Sequence, residues 1–66
     1  MQLTINGEAR AFQDVPHIAA LVAALGLDTK KVAVERNLEI VPRSVYAETP
    51  LADGDRIEIV HFIGGG

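Results

Sequence analysis

The chain has 66 residues, no cysteine, 48% hydrophobic residues and a formal net charge of −3 at pH 7. A chain of this length forms at most one domain, which buries only about 60% of the surface that its unfolded state exposes, so a deep catalytic cleft is not expected. Without cysteine there is no disulfide, thiolate nucleophile or thiolate metal site. The negative charge argues against a polyanionic partner and suits a basic protein as partner.

The first predicted elements form a β-hairpin. Residues 2–6 alternate polar and apolar side chains, which is the period of a half-buried strand. Asn6 and Gly7 both tolerate positive φ, as a type I′ turn requires. Residues 8–13 are therefore predicted to return antiparallel to the first strand.

One amphipathic helix is predicted next, between Pro16 and Leu25. Its apolar residues recur at helical spacing: Ile18, Leu21, Val22 and Leu25. We expect Asp14 to be the N-cap and Pro16 to lie in the first turn, where proline is accepted. Gly26 is expected to end the helix, because glycine adopts the left-handed conformation at the position after the last turn.

Two short apolar strands are predicted after the helix. Residues 32–34 are apolar and β-prone, and Asn37 marks the turn that ends this strand. Residues 38–41 form a second apolar segment. Pro42 either stops that segment or places it at the edge of a sheet, because proline cannot donate to a ladder of hydrogen bonds.

The last predicted elements are a loop or short helical turn over residues 43–50, a tight turn at Asp53-Gly54-Asp55 and a strand over residues 56–62. Together these elements indicate the α+β class, with one main helix packed across a mixed sheet, the β-grasp or ubiquitin-like architecture. We expect residues 1–63 to form this domain and residues 64–66 to form a flexible glycine tail. The predicted core is Leu3, Ile5, Ile18, Leu21, Val22, Leu25, Val32, Val34, Ile57 and Ile59.

The side chains that carry acid–base or nucleophilic chemistry do not form a recognisable active site. His17 and His61 are far apart in sequence, without an adjacent carboxylate or nucleophile, and we expect His17 to be exposed in the first helical turn. Ser44 lacks the strand-turn-helix context of a nucleophile motif. Asp53 and Asp55 lack the further ligands of a calcium loop, so a turn is the preferred interpretation. We expect neither a catalytic residue nor a metal site in this chain.

Neither nucleic acid nor a membrane is a predicted partner. The basic residues Lys30, Lys31 and Arg36 have no interleaved aromatics, which single-stranded nucleic-acid binding requires, and are interpreted as solvated surface. No apolar run approaches the ~20 residues that span a bilayer, and no basic region precedes an apolar stretch. A cytoplasmic location is expected.

Three glycines end the sequence, Gly64, Gly65 and Gly66. Glycines at a terminus resist packing and have no Cβ, so such a segment fits a narrow channel in another protein. A frayed end has the same composition, and composition alone leaves both interpretations open.

Several segments together resemble the ThiS family of sulfur carriers in the thiamine pathway. They are VAVERN at 32–37, EIVPRS at 39–44, DGDRIEIV at 53–60 and FIGGG at 62–66, with MQLTINGE at 1–8 and ALGL at 24–27. The resemblance covers essentially the whole chain. It implies that the first and last strands are neighbours at the centre of the sheet.

The resemblance also implies a function. A ThiF-like adenylating enzyme would use ATP and magnesium to convert the Gly66 carboxylate to an acyl-adenylate, and a sulfur donor protein would displace AMP to leave a thiocarboxylate. A ThiG-like thiazole synthase would then receive the sulfur. Gly64 and Gly65 would pass through the partner's active site. The chain itself would bind no cofactor and would be a carrier rather than an enzyme.

Alternatives to this function are the small subunit of molybdopterin synthase, which shares the fold and a Gly-Gly end, a binding module of the TGS kind, and a ubiquitin-like tag joined to target lysines. For docking, the alternation of the last strand predicts that Val60 and Phe62 face solvent, opposite Ile57 and Ile59. We expect this exposed apolar pair, just before the tail, to contact the partners, with nearby acidic residues steering the encounter.

Overall fold

A computed structural model describes residues 1–62, which form a five-stranded mixed sheet with one α-helix packed across one of its faces. The elements are β1 (Gln2–Ile5), β2 (Glu8–Ala11), α1 (Ile18–Ala24), β3 (Val32–Arg36), β4 (Glu39–Val41) and β5 (Arg56–His61). The strand order is β2-β1-β5-β3-β4. β1 and β5 are parallel neighbours, and the other neighbouring strands are antiparallel. The predicted α+β, β-grasp fold and the central pairing of the first and last strands are confirmed.

The first hairpin has the predicted turn but a shorter second strand. Asn6 and Gly7 have φ values of 49° and 84°, as a type I′ turn requires. β2 ends at Ala11, although the Phe12 amide still donates to the Met1 carbonyl at 2.8 Å. Asp14, the first residue after the predicted end of the strand, has a left-handed φ of 58°.

The helix begins two residues later than predicted, and its N-cap is His17. The His17 Nδ1 atom accepts a hydrogen bond from the Ala20 amide at 3.1 Å, so the prediction that Asp14 caps the helix is wrong. His17 is also half-buried rather than exposed. The cause is tertiary: backbone hydrogen bonds to residues 49–51 hold Pro16 and His17 in an extended conformation. Gly26, with a φ of 76°, follows the helix as predicted.

The helix is seven residues long, too short to be stable in isolation, so its stability comes from packing. Its apolar stripe of Ile18, Leu21 and Val22 is fully buried against the sheet. All the predicted core residues are buried except Leu25, which is half-buried at the margin of the core. Four further residues complete the core: Val15, Val41, Tyr46 and Leu51.

Within residues 1–62, two 3-10 helices lie in the connections from α1 to β3 and from β4 to β5. Arg43–Glu48 is the short helical turn that the sequence allowed, and Tyr46 within it donates from its hydroxyl to the Val32 carbonyl at 3.2 Å. Thr29–Lys31 was not predicted; the Asp28 carboxylate caps it by accepting from the Lys30 amide at 2.8 Å. Within residues 1–62, no helix is long and apolar enough to cross a membrane.

Candidate functional site

Strand β5 leads from the centre of the sheet towards the C-terminal residues. It pairs with β1 on one side and with β3 on the other, where His61 lies opposite Val32. One residue beyond the strand, the Phe62 amide donates to the Lys31 carbonyl at 2.8 Å. The backbone is therefore held by hydrogen bonds up to residue 62. The predicted sulfur-carrying Gly66 and the predicted threading residues Gly64 and Gly65 lie outside the described residues.

The side chains of β5 alternate as the sequence predicts. Ile57 and Ile59 are buried beneath α1, whereas Val60 is 58% exposed. Phe62, just after the strand, is 43% exposed. The exposure predicted for Val60 and Phe62 is confirmed, and their contact with partners stays a prediction.

A side-chain clamp that the sequence did not reveal joins Asn6 to β5. The Asn6 amide group donates from Nδ2 to the Ile59 carbonyl at 3.1 Å, and its Oδ1 atom accepts from the Ile59 amide at 2.7 Å. The side chain thus takes the place of another residue of β1 in the ladder of hydrogen bonds. Both bonds lie three residues before Phe62, so they fix the part of β5 closest to the tail.

A second asparagine holds the other end of β5. The side-chain Oδ1 atom of Asn37 accepts a hydrogen bond from the Arg56 backbone amide at 2.9 Å. The backbone amide of Asn37 donates to the Arg56 carbonyl at 2.8 Å. Its Nδ2 atom donates to the Asp55 carboxylate at 3.0 Å. Asn6 and Asn37 both have left-handed φ values, 49° and 50°, that asparagine tolerates better than most residues. An asparagine at each turn next to β5 was the only sequence signal of these clamps.

Asp55 is a buried carboxylate at the start of β5, with 7% of its surface exposed. It accepts hydrogen bonds from the Arg36 Nε atom at 2.8 Å and from the Ala52 amide at 2.8 Å, in addition to Asn37. Burial acts to raise the pKa of Asp55, but the bonds from Ala52, Asn37 and Arg36 outweigh burial and hold the pKa below its ordinary value. The carboxylate therefore stabilises the turn in its charged form.

The other polar residues considered from sequence have structural positions. The Asp53 carboxylate accepts from the Gln2 amide at 2.6 Å, which supports the interpretation of 53–55 as a turn. His17 caps the helix, and His61 lies at the end of β5. Among residues 1–62, no group of three or more His, Cys, Asp or Glu side chains is placed to hold a metal ion.

Comparison with known proteins places this arrangement in a family. Residues 3–66 match the sequence model of the ThiS family. The chain is 46% identical over 65 residues to the sulfur carrier protein ThiS of Bacillus subtilis, covering 98% of that protein. It also superposes on the crystal structure of the thiamine biosynthesis protein ThiS from Geobacter metallireducens with a TM-score of 0.84 and 33% identity, over the full length of both chains.

Longer relatives also match. The chain is 59% identical over 66 residues to a thiazole synthase of Paramagnetospirillum magneticum and 42% identical to a thiazole synthase of Magnetococcus marinus. It spans 20% of the length of each of these two proteins.

Proposed function

The chain belongs to the ThiS family, and on this premise we propose that it carries sulfur for thiazole formation in thiamine biosynthesis, with the Gly66 carboxylate as the group that holds the sulfur. The observation that carries the proposal is a match that extends from residue 3 to residue 66 and includes the three glycines. The near-complete coverage of a relative named as a sulfur carrier supports the same function.

The composition of the chain restricts how it could hold sulfur. With no cysteine among its 66 residues, it cannot carry a persulfide on a side chain. A carboxylate is a poor electrophile until one of its oxygens becomes part of a good leaving group. We expect that oxygen to attack the α-phosphorus of ATP, with release of pyrophosphate. A hydrosulfide ion released by the sulfur donor then adds to the carbonyl carbon, the C–O bond to AMP breaks, and a thiocarboxylate remains.

This cycle requires three partners. A ThiF-like adenylating enzyme, which uses ATP and magnesium, forms the acyl-adenylate, a sulfur donor protein supplies the sulfur, and a ThiG-like thiazole synthase consumes it. Support for the last partner comes from relatives named thiazole synthase that contain a region matching the whole chain. The chain acts as a co-substrate of these enzymes.

The described residues are suited to presenting a reactive end. Asn6 and Asn37 hold β5 near both of its ends, so the point where the tail begins has a fixed position relative to the surface of the domain. Val60 and Phe62 offer apolar surface for docking next to that point. Burial of Phe62 by a partner would offset part of the free energy, about 1–2 kcal/mol per residue, that is needed to order a glycine tail.

Intact-mass spectrometry tests the proposal. The chain is incubated with a ThiF-like enzyme, ATP, magnesium and a sulfur donor, and a mass increase equal to the replacement of one oxygen by sulfur is expected. Deletion of Gly66, or addition of one residue after it, should abolish that increase and leave the circular dichroism spectrum unchanged. Loading of either altered chain would contradict the assignment of the carboxylate. A loaded chain that serves molybdopterin synthase but not thiazole synthase would contradict the pathway.

A further inference from the structure

A groove opens on the α1 side of the sheet, close to the last described residue of the chain. Its volume is about 280 Å³. Leu25 and Leu27, two half-buried residues just after α1, line it together with Ile59 of β5. Arg10 of β2 and His61 of β5 line the same cavity, and both are exposed. We call this surface the helix-side groove. It combines apolar side chains with two nitrogen-bearing groups that can donate hydrogen bonds.

The strand register places Arg10 and His61 on the face of the sheet that α1 covers. Arg10 lies opposite Leu3, and His61 lies opposite Val32. Leu3 and Val32 are both buried in the core, and directly opposite residues share a face of a sheet. Because α1 has only seven residues, Arg10 and His61 stay exposed at the margin of this face.

The guanidinium group of Arg10 has a defined position but no carboxylate partner within residues 1–62. Its central carbon lies 5.3 Å from the centre of the Phe12 ring, an arrangement that favours a cation over an aromatic face. Glu8 shares the face of Arg10 but forms no salt bridge with it; the salt bridge of the described residues joins Arg36 to Asp55. Among these residues, no carboxylate lines the groove. The positive charge of Arg10 is therefore available to another molecule.

The helix-side groove and the predicted docking pair, Val60 and Phe62, lie on opposite faces of β5. His61 stands between these two residues in the sequence, and successive side chains of a strand point to opposite faces. A partner that covers Val60 and Phe62 therefore leaves the groove accessible. Residues 63–66 can span at most about 14 Å, so the groove is also near the reactive carboxylate.

The order of the proposed reactions indicates which partner needs such a second surface. An acyl-adenylate is a mixed anhydride that water hydrolyses, so sulfur has to arrive while the adenylating enzyme still holds the carrier and excludes water. Thiazole synthase acts after the carrier is released and can use the same apolar pair. The sulfur donor is the partner that requires a surface left free in the complex of carrier and adenylating enzyme.

We propose that the helix-side groove is the docking site of the sulfur donor protein in a ternary complex with the ThiF-like adenylating enzyme. The donor places an aspartate or glutamate against Arg10 and His61 and an apolar side chain against Leu25 and Leu27. This inference rests on the proposed function. Docking in the groove releases hydrosulfide close to the acyl-adenylate, so that the ion does not have to arrive by diffusion from dilute solution.

Charge complementarity favours an acidic protein surface over the other occupants of the groove. A nucleic acid or an anionic membrane would meet only two basic side chains, on a chain whose net charge is −3. The Gly66 carboxylate of the same chain would have to offset the entropy cost of ordering three glycines with one exposed ion pair. A donor protein presents its carboxylate on a folded surface and avoids that cost.

Calorimetric titration tests the docking site, with a cysteine desulfurase, an enzyme class that takes sulfur from cysteine, as the donor. The desulfurase is titrated, without cysteine or ATP, into the ThiF-like adenylating enzyme alone or saturated with the full chain. The parent chain should tighten binding of the desulfurase on the order of tenfold. Arg10→Glu and His61→Glu should each remove most of this gain, because they place a like charge against the donor's carboxylate. Lys30→Glu, at an exposed position outside the groove, is the matched control and should keep the gain.

Sodium sulfide separates donor docking from the steps that precede it. With sodium sulfide in place of the desulfurase, the adenylating enzyme, ATP and magnesium should load Arg10→Glu and His61→Glu to the same extent as the parent in the intact-mass assay. Both variants should also keep a urea midpoint near that of the parent, since both side chains are exposed.

Equal affinity of the desulfurase for the adenylating enzyme with and without the parent chain would overturn the proposal. A parent-like gain in Arg10→Glu and His61→Glu would do the same, as would an equal loss in Lys30→Glu. Poor loading of the two groove variants from sodium sulfide would assign the groove to adenylation and not to the donor.

Two other occupants would also be recognised. Loading of Arg10→Glu from sodium sulfide above the parent's level would show that the groove holds the chain's own carboxylate, and a parent dimer that this substitution dissociates in the analytical ultracentrifuge would show that it holds a second copy. Either result would overturn the donor site. Failure of the parent to gain sulfur from sodium sulfide would contradict the proposed function instead.

Discussion

The clamp between Asn6 and β5 provides a sharp test of how this small domain holds its central strand. Substitution of Asn6 by alanine removes both hydrogen bonds to Ile59, at 2.7 and 3.1 Å, and leaves the Ile59 amide and carbonyl without these partners. It also places a residue with a Cβ but no polar side chain at a φ of 49°. Two separate costs therefore arise from one change.

The lost hydrogen bonds and the left-handed backbone each lower the free energy of unfolding by an amount that can be estimated separately. Each lost hydrogen bond contributes a net ~0.5–1.5 kcal/mol, so the pair contributes about 1–3 kcal/mol. The left-handed backbone adds roughly 1–2 kcal/mol for alanine. Asn6→Ala should thus lower the free energy of unfolding by about 2–5 kcal/mol, a large share of the ~5–15 kcal/mol typical of native proteins.

Urea denaturation measures the total loss in the free energy of unfolding. A second substitution separates the hydrogen-bond cost from the backbone cost. Asp14→Ala has a similar φ of 58°, but the Asp14 side chain forms no hydrogen bond within residues 1–62, so this variant should show the backbone cost alone. Hydrogen exchange of the Ile59 amide should accelerate in Asn6→Ala and not in Asp14→Ala. Equal midpoints for the two variants, with unchanged exchange at Ile59, would refute the clamp.

Three further predictions concern the core, the buried carboxylate and docking. Leu21→Ala, at a fully buried position, should destabilise the domain by ~2–5 kcal/mol, and an unchanged urea midpoint would show that this helix face does not pack on the sheet. Because the pKa of Asp55 is lowered from 3.8, its stabilisation is complete well above that value and is lost as the pH falls through the folded-state pKa. Asp55→Asn should therefore be less stable than the parent at pH 7, with a smaller difference at about pH 2; a constant difference would exclude this linkage. Phe62→Ala should leave the urea midpoint nearly unchanged and weaken binding to the adenylating enzyme by on the order of tenfold, whereas equal calorimetric affinities would remove Phe62 from the interface.

Local patterns were sufficient to predict the elements of this fold. Alternation over residues 2–6 and 56–62 identified the two central strands, and Asn6-Gly7 and Asp53-Gly54-Asp55 identified turns that the structure contains. The same alternation assigned Val60 and Phe62 to solvent and Ile57 and Ile59 to the core. Such predictions succeed because strand periodicity and turn preferences depend on neighbouring residues only.

Contacts between distant residues decided what the sequence did not reveal. The helix begins at Ile18 because residues 49–51 hold Pro16 and His17 extended, a constraint from a segment more than thirty positions away in the printed sequence. Tyr46 is buried in the core, where its hydroxyl donates to the Val32 carbonyl. No local pattern contains either contact.

The sequence by itself determined the type and order of the elements, most of the core and the family to which the chain belongs, since these depend on periodicity, turn chemistry and the joint spacing of segments such as EIVPRS. Only the tertiary structure decided that Asn6 and Asn37 both hold β5, and that Glu35 and Glu58 stand opposite each other beside Ile40. The physical reason is that the strand register brings β5 together with residues 19 to 53 positions away, and a linear pattern does not encode which side chains then share a face.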